Sequence, residues 1–343
     1  MRRISLFVPF AFTVMADPVS SVAYAIESAL RSLDGDLASL LPTMAAIIAI
    51  IAVISATYHE LIGRFPGGGG GPEGVANAFG EGWAFVPLGA LLVDFTLTVA
   101  VSCAAAASAL IAYVPELEPA RTPIGLVLVA AVAGGVLLGQ LGRVVFSVAT
   151  LLFIVLAIGV IVAGAFAEPA GAGAHHALST PVLADAALGP ALLAIPLGMA
   201  LATGVEAPSN AIAQLPQLDN RARRRFGRWT LWLMVGIVGT LTIGLAGVAL
   251  RLGSGLPPED STLLAEVARD AYGAGAGFAA FQAVSALLLL SAAASSYLGS
   301  STATCTSTTP VSPIGRTSRA EPLRQPLEAS PASSTCRAPR CRP

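Results

Sequence analysis

Eight stretches of this chain run for roughly 20 residues or more with at most two charged side chains each, and that feature decides the medium in which it folds. A hydrocarbon layer about 30 Å thick is crossed by roughly 20 apolar residues in a helix. Lipid offers no partner for backbone N–H and C=O groups, so only helices and closed barrels cross it. Long apolar runs without strict alternation select helices. The stretches fall at residues 5–30, 39–62, 83–114, 123–141, 144–167, 187–214, 229–250 and 274–298. The rest of the composition agrees, with 55% hydrophobic and 11% charged residues, where a soluble domain carries about 25% charged. The expectation is an all-α integral membrane protein. The start "MRRISLFVPFAFTVMA" has the outline of a secretory signal, but the apolar stretch continues through "SSVAYAIESAL" and the pattern recurs along the chain.

Arginine placement sets an orientation, since lysine is absent and all 19 basic residues are arginines. Counting loops alternately, one side holds Arg2, Arg3, Arg64, Arg143 and the run Arg221, Arg223, Arg224, Arg225 and Arg228. The other side holds Arg31, Arg121, Arg251 and Arg269. The richer side is cytoplasmic by the positive-inside tendency, which predicts a multi-pass plasma (inner) membrane protein with its N-terminus in the cytoplasm. Residues 252–273 include "STLLAEVARDAYG", amphipathic and too charged to span, and read as an interfacial helix. From Gly299 the chain turns into a Ser, Thr, Pro and Arg-rich tail to residue 343, expected to be disordered and to reflect a reading-frame change rather than a designed domain. Cys103 lies in an apolar run and Cys305, Cys336 and Cys341 in the tail, without zinc or disulfide spacing. No basic patch is interleaved with aromatics, so nucleic acid is not an expected partner.

Two of the spans are interrupted. In "VMADPVSSVAYA" an acid and a proline stand inside the first. Pro18 removes a donor and disfavours helical geometry at Asp17, and Ser20 and Ser21 suit a new helix start. A carboxylate near the bilayer centre is costly, so Asp17 faces either a polar cavity and a cation or, in the plainer reading, merely caps a kinked helix. In the sixth span, "PLGMALATGVEAPSNAIAQL", the punctuation by Pro196, Gly198, Gly204 and Pro208 sets Thr203, Glu206, Ser209 and Asn210 beside a gap. Interruptions five spans apart match two inverted repeats that build a binding site from equivalent positions. The third span adds Asp94, Thr98 and Ser102, which the helical period puts on one stripe. The stripe suits an ion or proton path, while the two hydroxyls also suit bonding back to their own helix. "RFPGGGGGPEG" lacks the Lys-Ser/Thr ending of a phosphate loop and reads as a flexible connector. His59, His175 and His176 have no helical partner at ligand spacing and read as solvated or interfacial.

Together "DPVSSVAYA", "RFPGGGGG", "LLVDFTLTVAVS" and "ATGVEAPSN" resemble the amino acid-polyamine-organocation superfamily of permeases, and within it the KUP/KimA-type potassium-proton symporters. The resemblance runs from about Phe7 to Ser296. It implies a LeuT-like inverted-repeat core, with a first five-helix repeat over 1–168 and a partial second repeat over 187–298. It further implies that Asp17, Tyr24, Thr98, Ser102 and Thr203 correspond to potassium-coordinating groups and Asp94 to the proton-coupling acid. Two further helices of the second repeat and the family's cytoplasmic domain are not in this stretch, so the core is read as incomplete. The expected partners are potassium ion and proton, the lipid bilayer and a second copy of the chain, with no cofactor. An amino acid permease of the same superfamily is the alternative, and a non-transporting membrane protein or fragment is the reading from another class. Asp17 and Asp94 also invite comparison with an intramembrane aspartyl protease, but the Gly-x-Gly-Asp setting and other hydrolase motifs are lacking, so the chain is not read as an enzyme.

Overall fold

The computed structural model describes residues 4–137, 143–168, 188–215, 218–258 and 260–308, which are helical or in short connections, with no strand among them. The first span is a pair, α1 (Ile4–Val14) and α2 (Ala16–Ser32). There follow α3 (Leu37–Arg64), a short α4 (Gly70–Phe79), α5 (Phe85–Tyr113), α6 (Arg121–Leu137) and α7 (Arg143–Phe166). The sixth span is split into α8 (Leu188–Gly198) and α9 (Ala207–Ala211), and α10 (Asn220–Leu252), α11 (Leu263–Tyr272) and α12 (Ala276–Thr308) complete the set. Seven helical stretches among the described residues are long and apolar enough to cross a membrane. The eighth expected span is the α1–α2 pair, whose halves of 11 and 17 residues are each too short alone.

Side-chain contacts show that the spans alternate in direction. At one end Phe226, near the start of α10, packs edge-on against Phe7 of α1 at 4.8 Å, and Arg228 donates to the His59 carbonyl near the end of α3 at 3.1 Å. At the opposite end Arg269 of α11 donates to Ala112 O at the end of α5, and its guanidinium lies 5.0 Å from the Phe278 ring of α12. Tyr272 donates there to Leu156 O of α7 at 2.8 Å. The outward faces are apolar, with Leu126, Val144 and Leu193 each about two-thirds exposed. Such faces are costly in water and cost nothing in hydrocarbon. Where α5 meets α12, Ala106 and Ala109 cluster with Ala286 and Leu289, and the three alanines are small enough to let two backbones approach without help from water exclusion.

The amphipathic stretch is a helix as expected. Its start is capped by Thr262, whose side chain accepts from Ala265 N at 3.1 Å. It buries Leu263, Leu264, Ala265, Val267 and Ala268 against the bundle, and Glu27 Oε2 accepts from Leu263 N at 2.9 Å. The last helix runs past the expected core edge at 298 as far as Thr308. Residues 309–343 of the expected tail, and His175 and His176, lie outside the described residues.

The glycine-rich connection differs from its reading as a free connector. Gly68, Gly69 and Gly70 hold φ of +95°, +90° and +50°, a backbone region that side chains penalise. The fold brings Gly68 so close to Ala213 that an added Cβ would lie 2.7 Å from the alanine methyl, and Gly70 against Asn210 and Ser209. Here glycine allows a packed turn against the α9 segment. Similarly, His59 is half-buried and accepts from Trp232 Nε1 at 3.1 Å through Nδ1, so it joins α3 to α10.

Candidate functional site

The two interruptions open by different devices. In the first, only Met15 leaves the helix, at φ −80° and ψ −8°, and the ladder barely breaks, because Met15 N still donates to Ala11 O at 2.9 Å and Val19 N to Met15 O at 3.0 Å. Asp17 and Pro18 therefore lie inside the first turn of α2 instead of ending a half-helix, a turn in which proline is tolerated. Ser20 and Ser21 do not cap that helix as expected. Their hydroxyls donate back to Asp17 O and Pro18 O, each at 2.7 Å, an i to i−3 bond available once the serine is already helical.

The second interruption is a true unwinding. After α8 the chain tightens into a 3₁₀ turn at Met199–Ala202, extends at Thr203 with φ −58° and ψ 130°, and turns left-handed at Gly204 with φ +79°. Without a side chain, Gly204 fits directly against the first break. An added Cβ would lie 2.9 Å from Pro18 Cδ and 3.1 Å from Asp17 Oδ2. The two interruptions are thus one junction.

Acidic and hydroxyl groups gather around it. Asp17 is only 7% exposed. Its Oδ2 receives a long bond from Ser296 of α12 at 3.4 Å, its Oδ1 has no partner, and among the described residues no basic side chain forms an ion pair with it. Asp94 and Thr203 line an open cavity of about 340 Å³ together with Tyr58, Pro72, Glu206 and Asn210. The carboxyl groups of Asp17, Asp94 and Glu206 are near enough to act on one another electrostatically. Tyr24 feels both Asp17 and Asp94, and its ring sits against the Ala106 cluster between α5 and α12.

On α5, Thr98 and Ser102 are buried and Asp94 is half-buried. Back-bonding is not the fate of Ser102, whose Oγ is buried without a partner, whereas Thr96 and Ser108 off the stripe do bond back, to Leu92 O and Ala104 O. The six expected residues therefore collect in two tiers. Asp94 and Thr203 face the open cavity, while Asp17, Thr98 and Ser102 are buried and Tyr24, half-buried, lies outside the cavity lining. Among the described residues no hydrogen bond links any two of them. Glu206 was not among the expected site residues although it is buried at the junction. The argument applied to Asp17 and Asp94, an acid inside an apolar span, would have found it. Ser296 had no such signal, being one serine among many in "SAAASSYLGSS".

This arrangement of broken first and sixth spans meeting at a polar junction agrees with a comparison of family profiles, in which one described as amino acid permease matches residues 7–304. The chain belongs to the amino acid permease family. It is therefore a multi-pass membrane protein of the amino acid-polyamine-organocation superfamily of transporters. Among curated proteins this permease is similar to the potassium transporter KimA of Bacillus subtilis (strain 168), with 31% identity over 290 residues that cover 81% of the chain and 46% of the relative. The chain spans about half the length of that relative.

Proposed function

We propose that this chain carries the substrate-binding part of a proton-coupled potassium uptake protein of the plasma membrane, with its N-terminus in the cytoplasm. The observation that supports it best is Asp17, a buried carboxylate at the junction of both breaks with Oδ1 unpartnered and no ion pair among the described residues. A buried charge left in that state is among the most expensive arrangements in a protein. A desolvated monovalent cation compensates it, taking oxygens in place of its hydration shell. Asp17, Tyr24, Thr98, Ser102 and Thr203 are the ligands in this reading, and closing the two tiers onto one ion is the movement that binding requires. Asp94, at the cavity wall, exchanges the coupling proton. The similarity to a potassium transporter supports the same choice.

The description of the matching profile favours a second reading, an amino acid substrate. Asp17→Asn separates the two, since asparagine keeps the shape and one carbonyl oxygen while losing the charge. In lipid nanodiscs, potassium affinity measured by calorimetry or rubidium competition should fall by about 5-fold to 150-fold, the loss of a charge-assisted contact of roughly 1 to 3 kcal/mol. An unmoved affinity would reduce Asp17 to a helix-start residue. Saturable alanine or leucine binding that ignores potassium would replace the cation by an amino acid.

A further inference from the structure

The start of α10 carries a feature that transport chemistry does not use. The segment "NRARRRFGRWTLW" places five arginines ahead of two tryptophans. Two of the arginines are committed to the fold, with Arg223 Nε donating to Leu215 O at 2.9 Å and Arg228 Nε to His59 O at 3.1 Å. The other three, Arg221, Arg224 and Arg225, are exposed, and none has a carboxylate partner among the described residues. Asp219 stands just before them at the helix start. Below them on the same side of the helix are Trp229, 63% exposed, and Trp232, 42% exposed. The indole N–H of Trp232 is already held by His59.

The dimensions fit the edge of a bilayer. A helix of 33 residues is about 50 Å long, against about 30 Å of hydrocarbon. Its charge-free run from Trp229 to Leu250 is itself about 33 Å long, so the turns ahead of it stand in the headgroup layer. The rise from Arg225 to Trp232 is about 10 Å, which sets the guanidinium groups at phosphate depth when the indoles sit at the boundary with the acyl chains, where tryptophan concentrates. Guanidinium pairs with phosphate in a fork, two N–H groups to two oxygens. We infer that this face of α10 is a binding surface for acidic phospholipid, with Arg221, Arg224 and Arg225 holding the headgroup and Trp229 and Trp232 lying along its acyl chains.

The two tryptophans supply the assay. The chain has three tryptophans, so Trp83→Phe leaves emission only from Trp229 and Trp232. That variant is placed in nanodiscs of phosphatidylcholine containing a minority of phosphatidylglycerol, with the bromine quencher on the acyl chains of one lipid or the other. Brominated phosphatidylglycerol should quench several-fold more per mole than brominated phosphatidylcholine, since one arginine near the surface favours an acidic lipid about fivefold. The excess should vanish when Arg221, Arg224 and Arg225 are all changed to glutamine, survive their change to lysine in weakened form, and shrink in high salt. Equal quenching by the two lipids in the parent, or a preference that persists in the triple glutamine variant, would overturn the assignment.

Discussion

Replacing Gly204 with alanine tests whether the two helix breaks work as one unit. The residue holds φ +79°, and a side chain in the left-handed region costs about 1 to 2 kcal/mol. The new methyl would also lie 2.9 Å and 3.0 Å from the Pro18 ring and 3.1 Å from Asp17 Oδ2. Pro18 is rigid and buried in the first turn of α2, so relief comes from moving the unwound segment away, and overpacking of this kind costs a further ~1 to 3 kcal/mol. The sum is about 2 to 5 kcal/mol, enough to lower the melting temperature in detergent or lipid by several degrees. On the proposed function it also draws Thr203 away from Asp17, so potassium affinity should fall by at least tenfold. Gly236→Ala is the control, because nothing lies within 4 Å of a Cβ there and alanine in a helix interior is better than glycine by about 0.5 to 1 kcal/mol. If the two variants melt alike and bind potassium alike, the contact between the breaks carries neither stability nor binding.

Three smaller perturbations address other parts. Asp94→Asn should flatten the pH dependence of potassium binding while leaving binding itself measurable, and a pH profile identical to the parent's would remove Asp94 from coupling. Gly68→Ala combines φ +95° with a Cβ 2.7 Å from the Ala213 methyl. It should lift the glycine turn off the α9 segment, seen as faster proteolysis or amide exchange at residues 66–72; unchanged protection would mean that the turn does not rest on that contact. Thr262→Ala removes the side-chain cap of α11 and should destabilise that helix by about 1 kcal/mol, read as amide exchange about fivefold faster over 263–266, where exchange at the parent's rate would show the cap to be idle.

How far the sequence reveals this architecture follows from what each feature costs in lipid. Spans are legible because a missing apolar residue is expensive in hydrocarbon, and the paired gaps are legible because proline and glycine are the residues that make gaps. The direction of each device is not. Pro18 has the same chemistry whether it ends a half-helix or sits in the first turn of the next, and the folded chain shows the second, with Gly204 packed against the ring. Ser20 and Ser21 likewise cap or bond back with equal ease, and the choice falls to the turn already formed around them. The glycine turn at 68–70 reads as slack in one dimension, since a close approach to Ala213 and Asn210 is invisible before the fold exists. Glu206 is legible by burial cost alone, whereas Ser296 reaches Asp17 only through the packing of α12 on α2.

The difference between the two breaks bears on which ligand the junction prefers. A site for a substrate carboxylate needs free N–H groups at the start of a half-helix. At the start of α2, Pro18 has none, and those of Met15 and Val19 are bonded to Ala11 O and Met15 O. What this end offers instead is the side chain of Asp17, with one oxygen unpartnered. A ligand carboxylate about 4 Å away would meet a repulsion of about 4 kcal/mol at an effective dielectric of about 20, close to a thousandfold in affinity. A cation in the same place gains by a similar amount before its own dehydration is counted. On the proposed function, protons and potassium answer the same excess of negative charge on Asp17, Asp94 and Glu206, so each weakens the other's binding by one common factor. That reciprocity predicts that the potassium affinity of the intact site rises with pH up to the point where the last of the three carboxyls has given up its proton.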